Sequence, residues 1–590
     1  MSSEAQKQPM LRRAFAVCKS NFLFVVLFSF FINLLMFVSP LYMIQVYDRV
    51  LASRNEVTLV MVTILAVALL VVYAVLESIR SRVLVRTGAR FDKFIGESVF
   101  KTSFRGHLRA PGGGYSQPIR DLDTLREFLT GGGIITFCDA PWMPIFLAVC
   151  FMIHFWIGVV ALIGAIAIFA LALANELATR RHLKEASTAS IGANQYVSTT
   201  LRNAEIVHAL GMMGAISRRW NDLHDRALGL QARASDRAGT ILAMSKFTRT
   251  VLQTAILGVG AWLVLESEVS PGAMIASSIM MGRALAPVEG AVAQWKGFVA
   301  ARSAYDRLGK MFASTEAEPE RMRLPAPTGA ISLEQLVVAP PGSRIATLKS
   351  VSMQIQPGEV IGVIGPSGAG KSTFARAVTG VWPPLSGHVR LDGADIDNWH
   401  AELLGPHIGY LPQDVELFAG TIAENIARFS EIDAEQVVAA ARKAGVHEMI
   451  LQLPDGYNTR IGEGGRALSG GQRQRIGLAR ALYGDPKIVI LDEPNSSLDS
   501  NGEAALTQAL RTAKAEGRTV LVISHRASLL NEVDKLAVFT GGTLTMYGPT
   551  RDVMARLNAG TGSGAAAPAA AVANSAQPMG QVTHMTRASG

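Results

Sequence analysis

The first half of the chain contains long stretches without a single charged side chain, and they restrict the fold more than any other feature. The longest is residues 140–175. As one helix it would measure roughly 54 Å, whereas about 20 apolar residues, roughly 30 Å of helix, suffice to cross a bilayer. A hairpin that turns near residues 154–158 resolves the excess, so this stretch predicts two membrane spans. We interpret His154, in the turn, as an interfacial residue and not a ligand.

Two earlier stretches predict the first and second spans. Residues 22–47 and 57–76 are both uncharged, and Pro40 is expected to kink the first. Residues 251–265 and 269–282 are shorter and have charged neighbours, so they are weaker candidates for spans five and six. We expect Arg283, which follows, either to face protein or water, or to lie just past the membrane edge.

Basic side chains indicate the orientation of these spans. Arg12 and Arg13 precede the first span, and an arginine cluster that begins at Arg80 follows the second. An excess of Lys and Arg is typical of cytoplasmic loops, so both groups are expected in the cytoplasm. The formal net charge of +9 suits loops beside anionic lipid. Nucleic-acid binding is not expected, because no basic–aromatic stripe or nucleic-acid motif accompanies the charge. The N-terminus is not expected to be a cleavable signal, because its apolar run is too long.

The second half contains a glycine-rich phosphate loop. Residues 360–364 form a short β-branched run that is typical of a buried parallel strand, and residues 373–379 read as helix. The run between them fits G-x-x-x-x-G-K-[ST], whose backbone N–H groups and helix dipole suit phosphate. Lys371 is expected to reach the β- and γ-phosphates, and Ser372 to ligate Mg²⁺. The predicted nucleotide-binding residues are Gly365, Pro366, Ser367, Gly368, Ala369, Gly370, Lys371, Ser372 and Thr373.

Four more candidate site residues stand at the ends of predicted strands. Asp492, which ends the apolar run 488–492, is expected to hold the Mg²⁺ shell. Glu493, the next residue, is placed to polarise an attacking water as general base. Gln413 can contact both Mg²⁺ and that water, and His525 can hydrogen-bond the γ-phosphate or orient the base. Each residue alone is a weak signal, and the specificity lies in the set.

Residues 468–472 read LSGGQ, and with the preceding motifs they resemble the ATPase domain of ABC transporters. The resemblance implies ATP and Mg²⁺ as cofactors, and two such domains that enclose two ATP molecules head to tail. Ser469, Gly470, Gly471 and Gln472 of one domain would then bind the nucleotide held by Lys371 of the other. Because one chain carries one membrane half and one ATPase half, the expected working unit is a homodimer with twelve spans.

The membrane half resembles the exporters of type I secretion systems. The likeness covers roughly residues 10–557 and is carried by residues 39–51, 120–129, 137–142 and 282–287. It implies ATP-driven export of unfolded protein with an uncleaved C-terminal signal across the inner membrane of a Gram-negative bacterium, in the subgroup that exports metalloproteases, lipases and surface-layer proteins. The implied partners are a periplasmic membrane-fusion adaptor, an outer-membrane channel protein, the secreted protein and membrane lipid. Arg12 and Arg13 are interpreted as interfacial anchors, with recognition of the secretion signal as the alternative.

Other functions stay open at this point. The same ATPase would serve an ABC exporter of lipid, drug or small peptide. A nucleotide-gated channel or regulator that moves no cargo is also conceivable, although Glu493 and His525 argue against it. One departure from the family concerns the adenine: many relatives carry a stacking aromatic residue upstream of the phosphate loop, whereas residues 336–342 contain none. An aromatic stacking contact with adenine is therefore not predicted from these residues, and selectivity for the base is expected to be loose.

The predicted fold is a membrane α-helical bundle with six spans, fused to an α/β phosphate-loop nucleotide-binding domain. Residues 120–129 form a charged amphipathic segment, a candidate coupling element between membrane half and ATPase, with glycine joints at 112–114 and 131–133. The predicted boundaries are a cytoplasmic N-terminal segment 1–21, a transmembrane domain 22–313, a linker 314–330, an ATPase domain 331–557 and a disordered Ala/Gly-rich tail 558–590.

Overall fold

The computed structural model describes residues 10–109, 117–314, 324–465 and 467–560. The chain divides into two compact units, Met1–Ala317 and Glu318–Gly590. The predicted glycine joint at 112–114, most of the predicted linker and most of the predicted tail lie outside the described residues.

The described part of the first unit consists of helices and short connections. A π-helical turn, Gln45–Val50, separates the second helix from the third, and a 3₁₀ turn, Ala140–Trp142, separates the sixth from the seventh. The helices are α1 (Met10–Leu35), α2 (Val38–Ile44), α3 (Leu51–Ser53), α4 (Glu56–Arg109), α5 (Gln117–Thr130), α6 (Gly132–Asp139), α7 (Met143–Ile153), α8 (Phe155–Arg202), α9 (Ala204–Ala209), α10 (Met213–Leu265), α11 (Pro271–Ala293) and α12 (Trp295–Ser314).

Among the described residues, five helical segments are long and apolar enough to cross a membrane. They are Met10–Ser53, Glu56–Arg109, Gly132–Ile153, Phe155–Arg202 and Met213–Leu265, and they contain the first five predicted spans. Helices α4, α8 and α10 have 54, 48 and 53 residues. At 1.5 Å per residue they reach far beyond a bilayer of roughly 30 Å. Each of these helices is therefore longer than the span it contains.

Helix α11, the predicted sixth span, is not among the five. It packs against α2, α7, α8 and α10, and small residues such as Ala276, Ser277 and Ser278 on it are buried. Small residues let neighbouring helices approach closely, and a helix surrounded by protein needs less apolar surface than one that faces lipid. The sixth span thus stays a prediction. Arg283 lies near the middle of α11 and is exposed in the single chain.

The predicted hairpin turn is confirmed at His154. Helix α7 ends at Ile153 and α8 begins at Phe155, with His154 in an extended conformation between them. The Nδ1 atom of His154 accepts a hydrogen bond from the Trp156 N–H at 3.2 Å, and its Nε2 atom lies 3.0 Å from Glu268 Oε2. His154 therefore joins this turn to the loop between α10 and α11.

The first helix begins earlier and breaks at another place than the sequence predicted. Helix α1 already includes Met10, and its first turns are held by Leu11 and Cys18, which are buried in a cluster with residues of α4, α5 and α12. It ends at Leu35, and Pro40 lies in the first turn of α2, where the missing N–H breaks no intrahelical hydrogen bond. The break thus precedes the proline.

The amphipathic segment 120–129 lies in α5, whose inner face carries Asp121 and three leucines. Arg307 of α12 donates to both Asp121 carboxylate oxygens, at 2.6 and 2.8 Å, so α5 is tied to α12. At the predicted glycine joint 131–133, α5 ends at Thr130 and the extended Gly131 precedes α6. Gly133 belongs to α6, and a Cβ there would lie 2.3 Å from the Phe128 ring. Gly133 therefore allows close packing, and the flexibility of the joint stays a prediction.

The second unit is an α/β domain. Its strands are β1 (Ile331–Val338), β2 (Leu348–Ile355), β3 (Val360–Ile364), β4 (Ser386–Leu391), β5 (Ala394–Asp395), β6 (Ile408–Leu411), β7 (Gly420–Thr421), β8 (Arg460–Ile461), β9 (Ile488–Asp492), β10 (Thr519–Ile523), β11 (Lys535–Thr540) and β12 (Thr543–Pro549). Its helices are α13 (Lys371–Val378), α14 (Ala401–Leu404), α15 (Ile422–Ile426), α16 (Ala434–Lys443), α17 (His447–Leu451), α18 (Gly470–Leu482), α19 (Ser500–Ala515), α20 (Ala527–Leu530) and α21 (Thr550–Gly560).

The central sheet fixes where the candidate site residues meet. Its six strands follow the order β12-β11-β3-β10-β9-β6, and every pairing except β11–β12 is parallel. A four-stranded antiparallel sheet has the order β2-β1-β4-β5. Apolar clusters cover both faces of the central sheet, which explains the uninterrupted apolar runs of β3, β9 and β10. Since the carboxyl ends of parallel strands meet at one edge, the loops after β3, β6, β9 and β10 share that edge.

Candidate nucleotide-binding and hydrolysis site

The phosphate loop follows β3 and leads into α13, as the sequence predicted. Gly365, Gly368 and Gly370 have φ values of +152°, +78° and +95°, a region that side chains rarely tolerate. A Cβ at Gly365 would lie 2.2 Å from the Phe539 carbonyl oxygen, and one at Gly370 would lie 2.8 Å from Leu348 Cδ2. The glycines therefore allow the loop to turn closely over the sheet edge.

Lys371 is folded onto this loop. Its Nζ atom donates to the carbonyl oxygens of Gly365 at 2.7 Å and Pro366 at 3.0 Å, and the residue is 7% exposed. The Lys371 charge therefore lies at the phosphate loop. Ser372 and Thr373 follow in the first turn of α13, where the helix dipole favours an anion.

Asp492 ends β9 and is 1% exposed. Neither of its carboxylate oxygens has a hydrogen-bond partner of acceptable geometry among the described residues. Burial raises the pKa of this carboxyl above its ordinary value, and the nearby Ser372 hydroxyl lowers it in part. A buried, unpaired carboxylate is costly unless a cation accompanies it. This donor set, an oxygen pair beside a serine hydroxyl, fits Mg²⁺, which prefers oxygen ligands.

Glu493 and Gln413 come together at the same edge. The Gln413 Nε2 atom donates to Glu493 Oε2 at 2.8 Å, which joins the loop after β6 to the end of β9. Glu493 has a φ of +48°, an uncommon conformation for a residue with a side chain. Its N–H donates to the Ile523 carbonyl at 3.0 Å, so the neighbouring strand β10 holds the turn. Backbone strain of this kind is frequent at catalytic residues.

His525 follows β10 and is exposed. The residue before it, Ser524, is 1% exposed and donates to the Asn495 side chain at 3.0 Å. The end of β10 is thus fixed to the loop after β9. The contact of His525 with a γ-phosphate stays a prediction.

The LSGGQ residues form the start of α18. Ser469 is the N-cap: its hydroxyl accepts from the Gln472 N–H at 3.2 Å, and the Gln472 side chain accepts from the Ser469 N–H at 2.9 Å. This capping box satisfies two N–H groups at the start of the helix. Gly470 and Gly471 are the first helical residues, so backbone N–H groups and the positive end of the helix dipole lie at this segment.

Sequence reasoning missed one residue of the site, Gln474. It is 3% exposed, and its amide bonds to the backbone of Glu493 and to the loop that follows Glu493. A glutamine two positions after LSGGQ gives no signal that separates it from a solvent-facing helical residue. Only the tertiary structure shows its contacts.

The adenine region agrees with the departure noted in the sequence. The loop between β1 and β2 reaches the phosphate loop, since a Cβ at Gly370 would lie 3.2 Å from the Thr347 carbonyl oxygen. It presents Ile345, which is 80% exposed, whereas Ala339 is 8% exposed. The apolar surface offered here is aliphatic.

Comparisons with known proteins agree for both units. The family model for the ABC transporter transmembrane region matches residues 22–286, and the ABC transporter family model matches residues 348–496. The type I secretion system ATP-binding protein PrsD of Rhizobium meliloti is 41% identical over 92% of this chain and 93% of its own. The cyclolysin secretion/processing ATP-binding protein CyaB of Bordetella pertussis is 31% identical over 90% and 75%. The structure of a bacterial Atm1-family ABC exporter with ATP bound superposes with a TM-score of 0.79 at 22% identity, covering 94% of this chain and 100% of that one.

Proposed function

Because this chain belongs to the ABC transporters, and within them to the ATP-binding proteins of type I secretion systems, we propose that it uses ATP to export protein from the cytoplasm. The observation that carries the proposal is the likeness to PrsD, 41% identity over 92% of the chain, which includes the membrane unit that must accommodate the cargo. The proposed cargo is an unfolded protein with an uncleaved C-terminal signal.

The geometry of the ATPase unit supports a hydrolytic site at the sheet edge. Lys371 and the phosphate loop would hold the β- and γ-phosphates. Asp492, Ser372 and Gln413 would hold Mg²⁺, which when bound supplies positive charge to the phosphate oxygens. Glu493 would take the proton of the attacking water as general base. Gln413, 2.8 Å from that carboxylate, would orient it, and His525 would contact the γ-phosphate.

The proposed working unit is a homodimer. Ser469, Gly470, Gly471 and Gln472 of one protomer would complete the site built on Lys371 of its partner, with the dipole of α18 directed at the γ-phosphate. ATP binding would favour the closed pair of ATPase units, because each nucleotide adds contacts that only the closed state has. Hydrolysis would open them again. Segment α5, fixed to α12 by the Asp121–Arg307 ion pair, would transmit the movement to the spans.

The proposed location is the inner membrane of a Gram-negative bacterium, with the ATPase in the cytoplasm and six spans per chain. The five long apolar helical segments make this a multi-pass membrane protein. An adaptor in the periplasm and a channel in the outer membrane would continue the export path, as they do in type I secretion systems.

The test compares culture-medium proteins from cells that express the chain or its Glu493→Gln variant. Glu431→Gln is the matched control, since Glu431 is exposed in the same unit. We expect Glu493→Gln to bind ATP with unchanged affinity but to lose at least about 90% of turnover, a barrier change of about 1.4 kcal/mol or more. One or a few proteins should then disappear from the medium and accumulate unprocessed inside the cell.

Two outcomes contradict parts of this proposal. More than about a tenth of wild-type turnover in Glu493→Gln, a loss smaller than one tenfold step, refutes the role of Glu493 as base. An unchanged medium, accompanied by altered lipids or drug sensitivity, refutes protein export and supports an exporter of small molecules.

A further inference from the structure

One buried side chain connects the LSGGQ segment with the catalytic carboxylate. Gln474 of α18 donates through Nε2 to the Glu493 carbonyl at 3.1 Å and to Ser496 Oγ at 3.2 Å. Its Oε1 atom accepts from the Ser497 N–H at 2.8 Å. All three partners lie between Glu493 and Ser497. We call residues 494–499 the exit loop of β9. A buried amide with all these partners fixes both elements against each other.

A second contact joins the same two elements. A Cβ at Gly471 would lie 2.8 Å from the Ser497 carbonyl oxygen, and one at Gly470 would lie 3.4 Å from Ser497 Cβ. The exit loop therefore rests directly on the two glycines of the LSGGQ segment. The segment and the loop cannot shift independently without breaking this packing.

Few contacts hold Glu493 in position, so the loss of any one of them is expected to displace the carboxylate. Its φ of +48° is unfavourable. Ile523 accepts from its N–H, Gln413 donates to its carboxylate and Gln474 donates to its carbonyl. Gln474 alone among these three belongs to the helix that begins with LSGGQ.

We propose that Gln474 is a positioning residue that couples the two ATP sites of the dimer. The inference rests on the proposed head-to-tail arrangement. There, the LSGGQ segment of a protomer contacts the partner's ATP, whereas Glu493 of that protomer acts on its own ATP. A movement of α18 on engaging the partner's nucleotide would pass through Gln474 and the exit loop to the Glu493 backbone, and would bring the base into position only when both sites are filled.

The first test uses the full-length chain in lipid nanodiscs, with Gln474→Met and the matched control Gln508→Met, since Gln508 is exposed on α19. We expect Gln474→Met to bind MgATP within about twofold of wild type and to lower kcat by at least about tenfold. The Hill coefficient for ATP should fall to one. Gln474→Glu keeps the acceptor for Ser497 and loses the donor to Glu493, so it should show the same pattern if Gln474→Met does not fold. Wild-type kcat and cooperativity in a folded variant would overturn the proposal.

Mixed dimers separate coupling from simple support of Glu493. One chain carries Glu493→Gln, so the single active site combines Glu493 of the other chain with the LSGGQ segment of the Glu493→Gln chain. Lys371→Ala is then added to the Glu493→Gln chain, which empties the ATP site that the other chain's LSGGQ segment engages. With Gln474 intact, this change should lower the rate by at least about tenfold, and with Gln474→Met in the chain that keeps Glu493 it should cause no further loss. An unchanged rate with Gln474 intact, or an equal further loss with Gln474→Met, would overturn the coupling. Glu493→Gln homodimers that hydrolyse ATP at the wild-type rate would refute Glu493 as the base. That result would count against the proposed function and not against the role of Gln474.

Discussion

Removing the charge of Arg80 should destabilise the membrane unit far more than removing an exposed arginine beside it. Arg80 is 3% exposed and lies in α4, where its Nη1 atom donates to Asp139 at 3.0 Å and to Ser29 Oγ at 2.9 Å. Its Nη2 atom donates to both Glu77 oxygens, at 2.7 and 2.9 Å. Asn33 donates to the same Asp139 oxygen at 2.8 Å. The cluster joins α1, α4 and α6.

The magnitude follows from what each change leaves behind. Arg80→Met leaves the largely buried Asp139 with Asn33 as its remaining donor, and breaking a buried ion pair costs about 3–5 kcal/mol. Because Asn33 remains, we expect about 3 kcal/mol. Glu77 is 38% exposed and adds little, since exposed pairs contribute about 0–1 kcal/mol. Asp139→Leu should cost less, about 1.5–3 kcal/mol, because Arg80 keeps Glu77 and Ser29.

The double variant Arg80→Met/Asp139→Leu tests the pairing itself. It leaves no buried unpaired charge at either position, so its loss should be smaller than the sum of the single losses, by about 1–2 kcal/mol. The control is Arg82→Met, because Arg82 is exposed two residues further along α4.

The assay is thermal unfolding of the purified chain, followed by tryptophan fluorescence. A loss of about 3 kcal/mol corresponds to an apparent Tm lower by roughly 6–12 °C, whereas the control should change Tm by no more than about 2 °C, as expected for a surface substitution. If Arg80→Met has the same Tm as Arg82→Met, the buried cluster does not stabilise the fold and the reasoning is refuted. If the two single losses simply add in the double variant, Arg80 and Asp139 do not stabilise each other and the pairing is refuted.

The sequence predicted the elements that depend on local pattern. Residues 140–175 without charge predicted two spans and a turn near residues 154–158, because one helix of that length is much longer than a bilayer is thick. The run 360–364 predicted β3 with its exact bounds, because a strand buried on both faces is apolar throughout. The order of motifs also predicted which residues would lie at strand ends, and parallel pairing brings strand ends together.

Contacts between distant parts of the chain gave no comparable signal. The ion pair of Asp121 with Arg307 joins two helices, and the two residues are 186 positions apart in sequence. From the sequence alone, the charged segment that contains Asp121 cannot be distinguished from a solvated helix face. The helical part of α1 that precedes the predicted span is buried against α4, α5 and α12, whereas hydropathy identifies only the span. Gln474 reads as one more polar helical residue. In each case the deciding energy comes from burial and partner geometry, which one sequence does not display.

Two further predictions concern the ATP site. Because the loop beside the phosphate loop offers exposed Ile345 in place of an aromatic residue, GTP should be hydrolysed with a kcat/KM within about tenfold of that for ATP. A preference for ATP above that value would contradict the aliphatic contact, and Ile345→Tyr should raise the preference for ATP. Burial raises the pKa of Asp492 above its unfolded value, so the ionised carboxylate destabilises the nucleotide-free fold at neutral pH, and this destabilisation disappears as pH falls through the raised pKa. Asp492→Asn should therefore raise the Tm of the nucleotide-free chain near pH 7. MgATP should raise the Tm of the wild type, and this rise should be absent in Asp492→Asn. A lower Tm for Asp492→Asn without nucleotide would mean that an unrecognised partner already stabilises the carboxylate, and Mg²⁺ would then not be needed to balance its charge.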